Sequence, residues 1–116
     1  MRRILLAARC SALGFGHAWK YEAAFRQEIA LTLVLAPLAI LVGQTLIERV
    51  LLIGSCLLVL IVELLNSAVE ATVDRFGDEQ HELSGRAKDL GSAAVFVSLV
   101  LVVAVWVAVL WQRFYS

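Results

Sequence analysis

From Gly91 to Trp111 the chain carries no formal charge and is almost purely Val, Leu and Ala. A helix of that length crosses about 30 Å of hydrocarbon. Two further apolar runs precede it, Ile29 to about Leu46 and Val50 to about Ala71. Lipid offers no partners to the backbone, so each run must satisfy its own N–H and C=O groups and is expected to be a helix. Hydrophobic residues make up 61% of the 116, and the mean hydropathy is +0.86. This composition excludes an ordinary soluble fold and leaves room for one domain. The reading is an all-α membrane protein: a single domain over residues 1–116, with transmembrane helices over about 29–46, 50–71 and 91–111.

The segments between the runs fill in the rest. Residues 1–28 read as an amphipathic helix lying on the membrane surface. Leu5, Ala8, Ala12, Phe15 and Trp19 step by three and four along one face, with Arg2, Arg3, Arg9, Lys20, Glu22 and Arg26 elsewhere. Gly14 and Gly16 weaken that helix. Its apolar core ends at Arg9, too short for a secretory signal, and an arginine beside Cys10 argues against lipidation. Pro37 is expected to kink the first span. Gly43, Gln44 and Thr45 form a tight turn, with Glu48 and Arg49 at that interface. The polar stretch 74–90 reads as a loop broken at Gly77 and Gly85, with Ser84 as a cap for the third span. Small residues Gly91, Ser92, Ala93 and Ala94 permit close helix contact. Trp106, Trp111, Arg113 and Tyr115 read as interfacial anchors. Cys10 and Cys56 have no metal-ligand spacing, and neither a disulfide nor zinc is expected.

Eight Lys and Arg fall on the arm and the second loop (Arg2, Arg3, Arg9, Lys20, Arg26, Arg75, Arg86, Lys88), against Arg49 and Arg113 on the other side. Positive residues stay in the cytoplasm, so the N-terminus and the second loop are expected there.

Into that face the second span carries carboxylates. At about 100° per residue, Glu63, Ser67, Glu70 and Asp74 share a narrow sector, with Asn66 at its flank. A carboxylate costs roughly 2.5 to 3.5 kcal/mol at the bilayer centre, so such groups face protein, cavity or ion. Two other readings stand beside a catalytic one. The stripe is polar contact between packed helices, worth about 0.6 kcal/mol each, or it is a proton or ion path. The cytoplasmic side groups acids (Glu22, Glu28, Glu63, Glu70, Asp74), amides and hydroxyls (Asn66, Ser84, Ser92) and cations (Arg3, Arg26, Arg86, Lys88). That set suits a divalent cation with phosphate, because magnesium takes one or two carboxylates and completes its shell with water and phosphate oxygens. The chain has no Walker loop and no protein-kinase motif, so any ATP site must be of another kind.

Three separated motifs are similar to one family. Glu22-Ala-Ala-Phe-Arg-Gln-Glu28, then Glu63-Leu-Leu-Asn-Ser-Ala-Val-Glu70 with Asp74-Arg75, then Glu82-Leu-Ser-Gly-Arg-Ala-Lys-Asp89 with Gly-Ser-Ala-Ala-Val95, resemble the small prokaryotic integral-membrane diacylglycerol kinases. The likeness covers roughly residues 19–111. It implies a homotrimer in the bacterial inner membrane, with active sites shared between subunits, that phosphorylates 1,2-diacylglycerol from ATP and serves phospholipid recycling. It implies magnesium as cofactor and no nucleic-acid partner. By position it makes Glu63 the general base and Glu22 and Glu70 the magnesium carboxylates. Arg3, Glu22, Glu70, Glu79, Gln80, His81, Lys88 and Asp89 become ATP contacts. Arg3, Arg26, Glu28, Glu63, Asn66, Ser92 and Trp106 become lipid-substrate contacts, with Asp74 in support. The resemblance breaks over Cys10-Ser-Ala-Leu-Gly-Phe-Gly-His17, keeping only Ser11 and, further on, Trp19, and at Tyr21, where the family has asparagine, so no lipid headgroup contact is carried over from residues 10–21. The nearest rival is the sister activity on undecaprenol, which shares the Glu-x-x-Asn-x-Ala-x-Glu core. A small proton-coupled transporter using Glu63 and Glu70 is a rival of another class.

Overall fold

A computed structural model describes residues 1–76 and 82–115, and it is helical almost throughout. The helices are α1 (Arg2–Tyr21), α2 (Ala23–Val42), α3 (Leu46–Asp74) and α4 (Glu82–Tyr115). Helices α2, α3 and α4 are long and apolar enough to cross a membrane, with mean hydropathy of 1.7, 2.3 and 3.0 over their best windows. The chain is a membrane protein.

α3 is the central helix, packed on both α2 and α4. Its buried residues, Leu52, Ser55, Cys56, Val59 and Glu63, recur by three and four along one face. The tightest packing gathers Ala39 of α2, Leu52 of α3 and Val109 of α4, with Ile53, Val105 and Trp106 against them. Trp106 Nε1 donates to the Leu52 carbonyl at 3.2 Å, across 54 residues of sequence. This corrects the reading of Trp106 as an interfacial anchor, since its indole faces α3. Trp106→Phe keeps the ring but loses the donor. It is expected to lower stability to SDS unfolding in mixed micelles by about 1 kcal/mol, with Trp111→Phe nearly neutral.

Both turns at the ends of α2 are braced by arginine. At one end Gly43 is extended, and Arg49 Nε donates to the carbonyls of Gly43 (3.1 Å) and Ile40 (3.2 Å). These are end-of-helix acceptors that would otherwise lack partners. A methyl group at Gly43 would press on Arg49 Cγ and the Ala39 carbonyl, so the turn closes only with glycine. Thr45 then caps α3, accepting from Glu48 N at 3.1 Å. At the other end Glu22 alone is extended between α1 and α2, so the surface helix stops at Tyr21, short of the expected residue 28. Arg26 Nη1 donates to the carbonyls of Trp19 (2.6 Å) and Lys20 (3.3 Å) and ties the two helices together. Phe25, only 2% exposed, lies beneath with its ring 6.5 Å from that of Phe15.

α4 begins earlier than expected. Residues 82–90 are helical rather than loop, and Ser84 and Gly85 lie inside the helix instead of ending it. Arg86 and Glu82, one turn apart, pair at 3.3 Å and support that first turn. Thirty-four residues make a helix about 51 Å long, well over the ~30 Å of hydrocarbon. The surplus lifts the Lys88 region clear of the apolar core. Pro37 sits inside α2 without ending it.

Candidate functional site

The site grows out of the buried face of α3. One turn beyond Val59 that face changes from apolar to acidic at Glu63, whose side chain is 8% exposed. Further on, Asn66, Ser67 and Glu70 are half-buried and Asp74 is exposed, so the stripe runs from interior to water. The carboxylates whose charge bears most on Glu63 are Glu28, Glu22 and Glu70. Acids from α2, the α1–α2 corner and α3 therefore converge on one end of the bundle.

The contacts between α3 and α4 fix that end. Leu52 meets Trp106, Asn66 meets Gly91 and Asp74 meets Lys88, with one position rising as the other falls, as an antiparallel pair requires. Lys88 Nζ stands 2.7 Å from Asp74 Oδ1. Both groups are substantially exposed, and such a pair contributes little to stability. Its lysine is therefore free to change partner at little cost. Asn66 Nδ2 donates to Glu70 Oε1 at 3.3 Å. Its Oδ1 is buried and has no hydrogen-bond partner among the described residues.

A groove of about 640 Å³ lies between α1 and this part of α3. Phe15, Ala18, Leu64, Ala68 and Ala71 give it apolar walls, and His17, Tyr21, Glu22, Ser67, Glu70 and Asp74 give it a polar end. Such a cavity accepts a molecule that is greasy at one end and charged at the other. Among the described residues no three of His, Cys, Asp and Glu come together as a ready-made metal cage. Glu22 and Glu70 are hard oxygen donors lining one groove, few enough to suit a cation that shares its shell with phosphate and water. In that sense the residues present fit magnesium.

Of the residues singled out from the sequence, Glu22, Glu70 and Asp74 line one groove, with Asn66 bonded to Glu70, Lys88 paired to Asp74, and Glu63 and Glu28 alongside. Asp89 and Ser92 are exposed on the same end of α4. Glu79, Gln80 and His81 lie outside the described residues. Three others stand apart. Trp106 is level with Leu52, eleven residues and about 16 Å down the axis of α3 from Glu63. Arg3 is exposed near the far end of α1, about 28 Å along the helix from Glu22. The Arg26 guanidinium is engaged by backbone carbonyls. Sequence reasoning gave no site role to Gly91, whose lack of a side chain admits Asn66, or to the groove-lining His17 and Tyr21, whose rings stack at 6.3 Å. Their i, i+4 spacing was the available signal.

Residues 9–110 match the family described as prokaryotic diacylglycerol kinase. The chain is 53% identical over 112 residues to a diacylglycerol kinase of Escherichia coli (strain K12), covering 97% of this chain and 92% of that one. It is 50% identical over 110 residues to that of Haemophilus influenzae, covering 95% and 93%. A Helicobacter pylori diacylglycerol kinase is 39% identical over 105 residues, covering 90% and 82%.

Proposed function

Because this chain belongs to the prokaryotic diacylglycerol kinase family, we propose that its acidic groove is where a membrane-held alcohol meets the γ-phosphate of ATP. The protein is a lipid kinase that phosphorylates diacylglycerol. The observation that carries the assignment of the site is the position of Glu63. It is a buried carboxylate where the packed face of α3 turns polar, within reach of the charges of Glu28, Glu22 and Glu70.

Phosphoryl transfer requires little covalent help from a protein; it requires alignment, neutralised phosphate charge and a proton acceptor for the attacking hydroxyl. Glu63 takes the proton of the diacylglycerol hydroxyl, whose oxygen then bonds to the γ-phosphorus as the bond to the β-phosphate oxygen breaks. ADP leaves, and phosphatidic acid stays in the bilayer. Glu22 and Glu70 hold magnesium, which supplies charge neutralisation on the phosphates. Lys88 exchanges Asp74 for a phosphate oxygen, and Asp89 with Glu79, Gln80 and His81 holds the rest of the nucleotide. Asn66 holds Glu70, while Glu28 and Ser92 border the lipid, with the stem of Arg26 beside them and its guanidinium kept at the α1–α2 corner.

Arg3 and Trp106 lie too far from Glu63 within one chain to join its site. A homotrimer, in which a neighbour's surface helix completes each site, gives Arg3 a place, while Trp106 stays level with Leu52, at the depth where the acyl chains of the lipid run. The broad apolar faces that α2 and α4 expose suit lipid and neighbouring subunits together. The excess of Lys and Arg on the site's side supports the bacterial inner membrane, with the N-terminus and second loop in the cytoplasm where ATP is.

The deciding experiment supplies purified protein in micelles with radiolabelled ATP and one lipid at a time. Label is expected on diacylglycerol. Label on undecaprenol alone would move the chain to the sister activity, and ion flux in liposomes without ATP would make it a transporter.

A further inference from the structure

Asn66 has two hydrogen-bonding ends and uses one. Its Nδ2 donates to Glu70, while its Oδ1 is buried without a partner among the described residues. What holds the amide in that orientation is on the opposite helix. A methyl group built at Gly91 would fall inside the Asn66 side chain, on Oδ1 and against Cγ. The other described glycines inside helices, at 14, 16, 54 and 85, have open space where a methyl group would go, so crowding at a helical glycine is particular to Gly91 at this crossing of α3 and α4. With any side chain at 91, Asn66 must rotate away, and Nδ2 leaves Glu70.

We propose that Gly91 is a positioning residue for the metal-binding carboxylate, acting through Asn66 to orient Glu70. This rests on the kinase reading above. In that chain of contacts Glu70 touches the ion, Asn66 steers Glu70, and the empty place at 91 steers Asn66. Loss of a supporting hydrogen bond to a ligand typically costs about tenfold to a hundredfold in metal affinity. An effect near the lower end is expected here, because Glu70 itself remains.

The test is Gly91→Ala in the full chain, with Mn2+ uptake followed by electron paramagnetic resonance in the presence of a β,γ-methylene ATP analogue. Gly91→Ala is expected to weaken Mn2+ binding about tenfold. In turnover assays it should raise the magnesium requirement by a similar factor, with the rate at saturating magnesium largely kept. Gly85→Ala, the same change on the same helix in open space, should match the parent. Asn66→Ala removes the obstructing atoms, so adding Gly91→Ala to it should cost nothing more. Unchanged Mn2+ binding in Gly91→Ala, an equal further loss in the Asn66→Ala background, or a parent that takes up no Mn2+ would each overturn the inference. Should Gly91→Ala fail to fold, recovery of folding in the double variant supports it and continued failure overturns it. The binding isotherms stand apart from lipid phosphorylation, so a parent that labels no lipid alcohol defeats the kinase reading and leaves the Gly91 result to be judged separately.

Discussion

Glu63→Gln is expected to stop lipid phosphorylation, with a loss of at least about 10²-fold to 10⁴-fold, the range a positioned general base contributes. The amide keeps the shape of the carboxylate but cannot accept the hydroxyl proton. The fold should survive, because Glu63 is 8% exposed and a neutral amide is easier to bury there than a charge. Label transfer from ATP to diacylglycerol, alongside SDS unfolding and size-exclusion chromatography, measures both halves. Near-parental turnover would assign the base to another residue. Turnover lost together with the fold would leave Glu63 a packing residue.

Withdrawing magnesium with a chelator is expected to abolish transfer, and restoring the ion to recover it fully. Glu22→Gln and Glu70→Gln sharpen the assignment. Each should raise the magnesium concentration for half-maximal rate at least tenfold, roughly the lower end of what losing even a supporting partner costs. At position 70 a glutamine oxygen still accepts the hydrogen bond from Asn66 Nδ2, so the effect there reports lost charge rather than lost contact. A magnesium dependence unchanged in both variants removes the two carboxylates from the metal. Turnover that continues in the chelator removes the metal from the reaction.

The fold was largely legible because apolar length and helical period are written locally. Three runs gave three spanning helices, and the spacing of Glu63, Ser67, Glu70 and Asp74 gave one polar stripe on α3. Contacts that depend on a distant partner were not legible. Nothing near Trp106 in sequence shows that its indole bonds a carbonyl 54 residues away, so its aromatic type pointed to the interface instead. Arg26 was named only as a lipid contact, and nothing near it in sequence shows that its guanidinium reaches back to brace the end of α1. Gly91 read only as a small residue that permits close packing. Its consequence for Asn66 depends on which α3 residue faces it, and a period cannot name that residue. The end of α1 was misplaced because residues 22–28 favour helix as readily as those before them. What breaks the helix is one extended residue and a guanidinium reaching back across it.

That corner makes the surface helix and the first span a jointed lever with a single-residue elbow. No slack linker absorbs a tilt of α1 against the headgroups, so a tilt is transmitted to Glu22, the residue at the bend itself. One φ/ψ pair therefore sets the angle between the surface helix and the first span, and with it where Glu22 stands in the groove.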